Sequence, residues 1–163
     1  MAKFSELNSN LMDILIRLIS SQNLCKLLTY ASDNPFAEND INDTSNLLFN
    51  KIFPTPKLPD TVESIQDVKS SLLTVVFDDF SLSGNPKFKN VTVSFSIYCH
   101  VDIWQMKGTG KLRPYSIMEE IDNLFNNEKV IGLGKMQFKR SRFIAANAKN
   151  LGYRIDYDIV SFN

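Results

Sequence analysis

One histidine and two cysteines are all that this chain of 163 residues offers for soft-metal or thiol chemistry. Cys25 and Cys99 lie far apart and form no CxxC pair, so no disulfide framework is implied; both read as buried free thiols. A zinc centre needs three or four converging ligands. His100 adjoins Cys99, but neighbours along a strand point to opposite faces, and no second histidine is at hand. His100 therefore reads as a structural residue on the polar side of a sheet. An excess of either charge is also missing: 18 Lys plus Arg balance 18 Asp plus Glu. A dedicated nucleic-acid binder carries a basic face, so sequence-specific DNA binding is not expected.

Long apolar runs are lacking too. Between Leu11 and Ile19 the hydrophobic residues are interrupted by Asp13 and Arg17. That stretch is too short and too charged for a membrane span, and it lacks the core and cleavage site of a signal peptide. No membrane partner is expected, and synthesis in the cytoplasm is the simple inference. Gly108-Thr109-Gly110-Lys111 and Gly132-Leu133-Gly134-Lys135 do not complete the GxxxxGK[ST] pattern of a phosphate loop, because Leu112 and Met136 follow the lysines. No GxSxG elbow exists. The pairs Asp78-Asp79 and Glu119-Glu120 read as diverging strand residues and a solvated helix face. No catalytic residue, metal site or cofactor is expected, and the chain is not expected to be an enzyme.

What is present is hydrophobic periodicity that changes along a chain of single-domain length. Phe4, Leu7, Leu11, Ile14, Leu15, Leu18 and Ile19 recur at helical spacing, and Leu24, Leu27 and Leu28 mark a second short helix. Residues 1–31 thus read as amphipathic helices packing on a sheet. Residues 32–70 break the pattern: Pro54, Pro56 and Pro59 favour extended chain outside a sheet interior. The apolar residues of that stretch, among them Phe36, Phe49 and Phe53, predict an ordered arm over this domain or a neighbouring subunit.

Residues 71–163 predict a sheet with a central helix. Leu73, Val75 and Phe77 alternate with Thr74, Val76 and Asp78, and a turn follows at Ser83-Gly84-Asn85-Pro86. Val91–Trp104 is the clearest strand, about 45 Å long at about 3.4 Å per residue. A flexible loop covers Met106–Leu112. Arg113-Pro114-Tyr115-Ser116 opens a helix with proline in its first turn, or Ser116 and Glu119 form a capping box slightly later. Strands near Lys135–Arg142 and Tyr153–Phe162 complete the set. The expected class is α+β: a mainly antiparallel four-stranded sheet with helices on one face, plus an extended proline-containing arm. The basic residues Lys135, Lys139, Arg140 and Arg142 read as solvated or interfacial.

The long strand with Tyr98-Cys99-His100-Val101-Asp102-Ile103-Trp104 is followed by a glycine loop and by Leu112-Arg113-Pro114-Tyr115-Ser116-Ile117. The helix then runs through Glu120-Ile121-Asp122-Leu124-Phe125, and the chain ends in Leu151-Gly152-Tyr153-Arg154-Ile155-Asp156-Tyr157. In this order and spacing, residues 70–163 resemble the tail-terminator (tail-completion) proteins of long-tailed bacteriophages. The resemblance implies a virion protein of the tail or neck that assembles as a homo-oligomeric ring, hexameric in that family. The ring would sit on the tail tube protein, stop tube growth and meet the head–tail connector, while phage DNA passes through its channel. Candidate interface residues are Trp104, Lys107, Lys111 and Arg113 in the loop, and Phe36, Phe49 and Phe53 in the arm. Aromatic residues and arginine are favoured at interface centres. Competing readings are another neck component (a stopper or an adaptor), a small metal-dependent enzyme using Asp78, Asp79 or His100, and a monomeric binding module.

Overall fold

Alternating β-branched and aromatic residues favour long strands here, and four strands of twelve or thirteen residues dominate the computed structural model. It describes residues 4–59, 69–84, 89–130 and 134–162. The helices are α1 (Leu7–Ile19) and α2 (Gln22–Thr29), followed by strands β1 (Ile52–Phe53), β2 (Ser71–Leu82) and β3 (Lys89–His100). Then come β4 (Gln105–Met106), β5 (Lys111–Leu112), α3 (Arg113–Phe125), β6 (Lys129–Val130), β7 (Gly134–Ala145) and β8 (Asn150–Phe162).

The expected four-stranded, mainly antiparallel sheet is corrected. Six strands form one mixed, curled sheet in the order β1-β2-β3-β8-β7-β6, with β1 parallel to β2, and β4 with β5 forms a second small sheet. The added strands β1 and β6 hold two residues each, too few for any period to show. Curling follows from the natural twist of strands and from bulges in both outer long strands, at Phe77/Asp79 in β2 and Phe138/Arg140 in β7.

Residues 32–59 fold onto their own domain through short 3-10 turns at Pro35–Ala37 and Thr44–Leu47 and through β1. Leu47 and Ile52 enter the main core. The Gln22 amide donates to the Ile41 carbonyl (2.9 Å) and accepts from the Ile41 N–H (3.0 Å), and Lys26 pairs with Asp40 at 2.7 Å. The prolines Pro54, Pro56 and Pro59 lie beyond β1 in irregular chain.

The core lies between the three helices and one face of the sheet. Ile14, Leu15 and Leu18, then Leu24, Leu27 and Leu28, then Ile117, Ile121 and Phe125 meet Val75, Val93, Phe95, Ile97, Ile155 and Ile159. Each such fully buried side chain contributes about 1.5–3 kcal/mol relative to exposure. Phe95 stacks near Phe125 with ring centroids 5.1 Å apart, and Tyr157 donates to Asp122 at 2.7 Å, so its hydroxyl is satisfied inside the core. β3 and β8 approach so closely at Gly152 that an added Cβ would lie 1.8 Å from the Ile97 carbonyl oxygen; only glycine fits there.

β3 stops at His100, four residues before the alternation does. The His100 Nδ1 accepts from the Asp102 N–H (3.2 Å) and starts a 3-10 turn over Val101–Ile103. The following segment is no loose loop: β4 and β5 pair, Met106 is buried, and Gly108 donates to the Asp33 carbonyl at 3.2 Å. α3 begins at Arg113 with Pro114 in its first turn, not at Ser116. The expected turn residues Asn85 and Pro86, and Gly132 of the second glycine pair, lie outside the described residues.

Candidate assembly surfaces

Strand register arranges the face of the sheet away from the core into lateral rows. Val76, Ser94, Asp156 and Arg140 form one row across β2, β3, β8 and β7; Thr74, Ser96, Arg154 and Arg142 form the next. Small hydroxyls on β3 and carboxylates on β8 leave room for long cations from the flanks. The Asp156 carboxylate accepts from Arg140 Nε (2.7 Å), Arg154 Nε (2.8 Å) and the Ser94 hydroxyl (2.7 Å). Arg154 also pairs with Asp78 and donates to Ser94 at 2.8 Å. One row further, Asp158 accepts from Thr92 (2.6 Å) and Lys139 (3.0 Å).

This network buries Thr92, Ser94 and Asp156 almost completely. Burial alone would raise the Asp156 carboxyl, but the hydrogen bonds from Arg154, Arg140 and Ser94 outweigh it and hold the group at about 2. The alternation Arg154, Asp156, Asp158 was readable as a polar face; that its middle is buried was not, because the cover comes from neighbouring strands. A shallow cleft of about 420 Å³ opens at one end, lined by Asp79, Ser81, Asn90, Thr92, Lys139 and Asp158. Ile159 also lines it, and among its polar residues Thr92, Lys139 and Asp158 bond one another. Among the described residues no group of three or more His, Cys, Asp or Glu is placed to hold a metal ion.

The helix-side face is covered over β3 and β8 but not over β7. Phe138 and Phe143 remain more than half exposed; the rings of Phe143, Tyr115 and Trp104 lie 5.5–6.3 Å from that of Tyr153, and Phe138 lies 6.1 Å from Tyr157. Nine of the twelve β7 residues are exposed.

The candidate residues separate. Lys107 and Lys111 are exposed, Lys111 lying 4.0 Å from Glu119. Trp104 is half-buried, and its indole N–H donates to the Cys99 carbonyl at 3.0 Å. Phe49 is exposed with φ 63°, whereas Phe36 packs on the core and Phe53 is half-buried in β1 under the Lys57 ammonium. Arg113 is corrected as a surface residue: only 1% exposed, it donates to the carbonyls of Ile103, Leu27, Tyr30 and Ser32 at 2.7–2.9 Å. It is a clamp joining the C-terminal end of α2 to the β4–β5 hairpin. His100 is buried in its turn, and Asp78 is committed to Arg154. Glu120 accepts from Ser21 and Asn23 of α2.

No helix among the described residues is long and apolar enough to cross a membrane. Residues 21–159 match the model of one protein family, YomW, which is phage-derived. Comparison with curated proteins finds no match.

Proposed function

The chain belongs to the YomW family and is thus phage-associated, and from that premise we propose that it is a non-enzymatic structural protein of the virion. In this reading it is a tail terminator, a homo-oligomeric ring at the head-proximal end of the tail tube. It halts tube growth and hands the tail to the head–tail connector. Phage DNA passes through the ring without sequence-specific contact, in keeping with the zero net charge.

The observation that carries this reading is β7, a twelve-residue outer strand with nine exposed residues and two half-exposed phenylalanines. Folded proteins shield long open edges and seldom expose aromatic clusters without a partner. A subunit that buries such a strand only on assembly has a reason to keep it. Head-to-tail burial of one surface by a different one closes into a ring when the rotation divides a full turn.

The test is polymerisation of tail tube protein from the same phage with this protein titrated in. Arrest of elongation at ring-stoichiometric amounts supports the terminator. Tubes that grow to the same length with or without it contradict it. The curled sheet favours a second reading, a stopper at the connector, because partial closure approaches a small barrel. Binding to portal complexes with no effect on tubes would select that one.

A further inference from the structure

The two outer edges of the curled sheet are each open over much of their length, and their charges are opposite. β1 covers β2 only at Leu73 and Thr74, and β6 covers β7 only at Gly134 and Lys135. Among the described residues, no backbone group pairs with the outer side of β2 from Val75 to Leu82 or of β7 from Lys139 to Ala145. β2 carries Asp78 and Asp79 and no basic residue; β7 carries Lys135, Lys139, Arg140 and Arg142 and no acidic one. Lys139, Arg140 and Asp78 are engaged within the subunit. Asp79 and Arg142 are exposed and have no ion-pair partner among the described residues.

The edges also match as strands. β2, β3, β8 and β7 alternate in direction, so β2 and β7 run oppositely. A copy generated by a rotation that preserves strand direction therefore presents its β2 antiparallel to β7, like the junctions already inside the subunit. Phe77, Val93, Tyr157 and Phe138 form one lateral row, and the bulges of β2 and β7 both adjoin it. Within the subunit Arg142 lies level with Thr74, and Gln137 with Asp79, so setting the open length 139–145 against the open length 75–82 steps each copy along its neighbour by about four residues, a stagger of the kind strands adopt when a sheet closes on itself. On the helix side, the exposed Phe138 and Phe143 of one copy would come beside Phe77, Phe80 and Leu82 of the next, where Leu82 is 84% exposed. Cross-strand aromatic pairs of this kind stabilise sheet junctions.

We propose that the subunits join by edge pairing, β7 of one copy adding to β2 of the next, so that the sheet runs on around the ring with Arg142 set against the Asp78-Asp79 edge. The occupant of each edge is a second copy of this chain. The inference rests on the ring reading above and specifies its contact.

The test compares the full chain with Asp79→Arg, Arg142→Glu and the double swap, at high concentration and on tail tubes of the same phage. Mass is read by native mass spectrometry, and amide hydrogen exchange is read on 75–82 and 139–145. Both positions are exposed and outside the Asp156 network, so each variant should fold. Either single reversal is expected to weaken assembly by about tenfold or more, and the double swap to restore it, with both segments protected only in the assembly. Rings whose two edges exchange as in the monomer, or single variants that assemble like the parent, would overturn edge pairing while leaving the ring. No assembly in solution or on tubes would overturn both.

Discussion

Replacing Arg113 with methionine removes a buried cation but keeps its aliphatic stem, which isolates the guanidinium's work. Four carbonyls lose a charged donor: Ile103 and Leu27 in buried surroundings, Tyr30 and Ser32 at the margin. Charge-assisted bonds contribute about 1.5–3 kcal/mol each when buried, and marginal carbonyls recover water, so the gross loss is about 5 kcal/mol. Returning a costly buried charge to the unfolded chain offsets part of this. The net expectation is a destabilisation of about 3 kcal/mol, a large share of the 5–15 kcal/mol typical of a domain. The Leu27 and Tyr30 carbonyls end α2, where a cation also meets the negative end of the helix dipole. Arg113→Lys should recover part of the loss, since an ammonium has fewer donors and no planar fork. Urea unfolding followed by circular dichroism and by the lone tryptophan, Trp104, gives the difference at constant slope. A midpoint for Arg113→Met within about 1 kcal/mol of the parent would refute the clamp.

Asp156 makes stability depend on acid. Its folded value of about 2 lies below the ordinary 3.8 of an aspartate, so the stabilisation is fully present above about pH 4 and is lost as pH falls through 2. About 2 kcal/mol should disappear over that window, and Asp156→Asn should be less stable at pH 7 and lack that part of the acid dependence; an unchanged acid profile in the variant would contradict the network. The thiols of Cys25 and Cys99 are pushed up by burial to about 11 and about 12. Neither should react with a thiol reagent at pH 8 in the folded protein, and both should react in urea. Fast native labelling would show that the core opens there.

Long-range alternation was legible. The core face of β3, from Val91 to Cys99, could be read residue by residue, as could the apolar faces of α1 and α3. Local competition was harder to see. Val101 and Ile103 continue the alternation, but the His100 ring and the Asp102 N–H turn the chain before them. The segment with three prolines read as an arm because nothing local shows that Leu47 and Ile52 reach the same core as Ile14. Two-residue strands have no period, so β1 and β6 and the parallel pairing of β1 were invisible. Arg113 read as a surface residue from composition alone. One clue was available: a cation at the N-terminal end of α3 opposes that helix's own dipole, which points to partners elsewhere. The polar network was half legible, its residue types from the pattern of β8, its burial only from the register of four strands.

Electron microscopy of the purified protein, alone and mixed with tail tubes of the same phage, tests most directly the proposal that this YomW-family protein closes the tail tube as a ring. Rings of tube diameter, or added density capping one end of each tube, are the predicted result. Monomers that leave both tube ends bare at saturating concentration would contradict it.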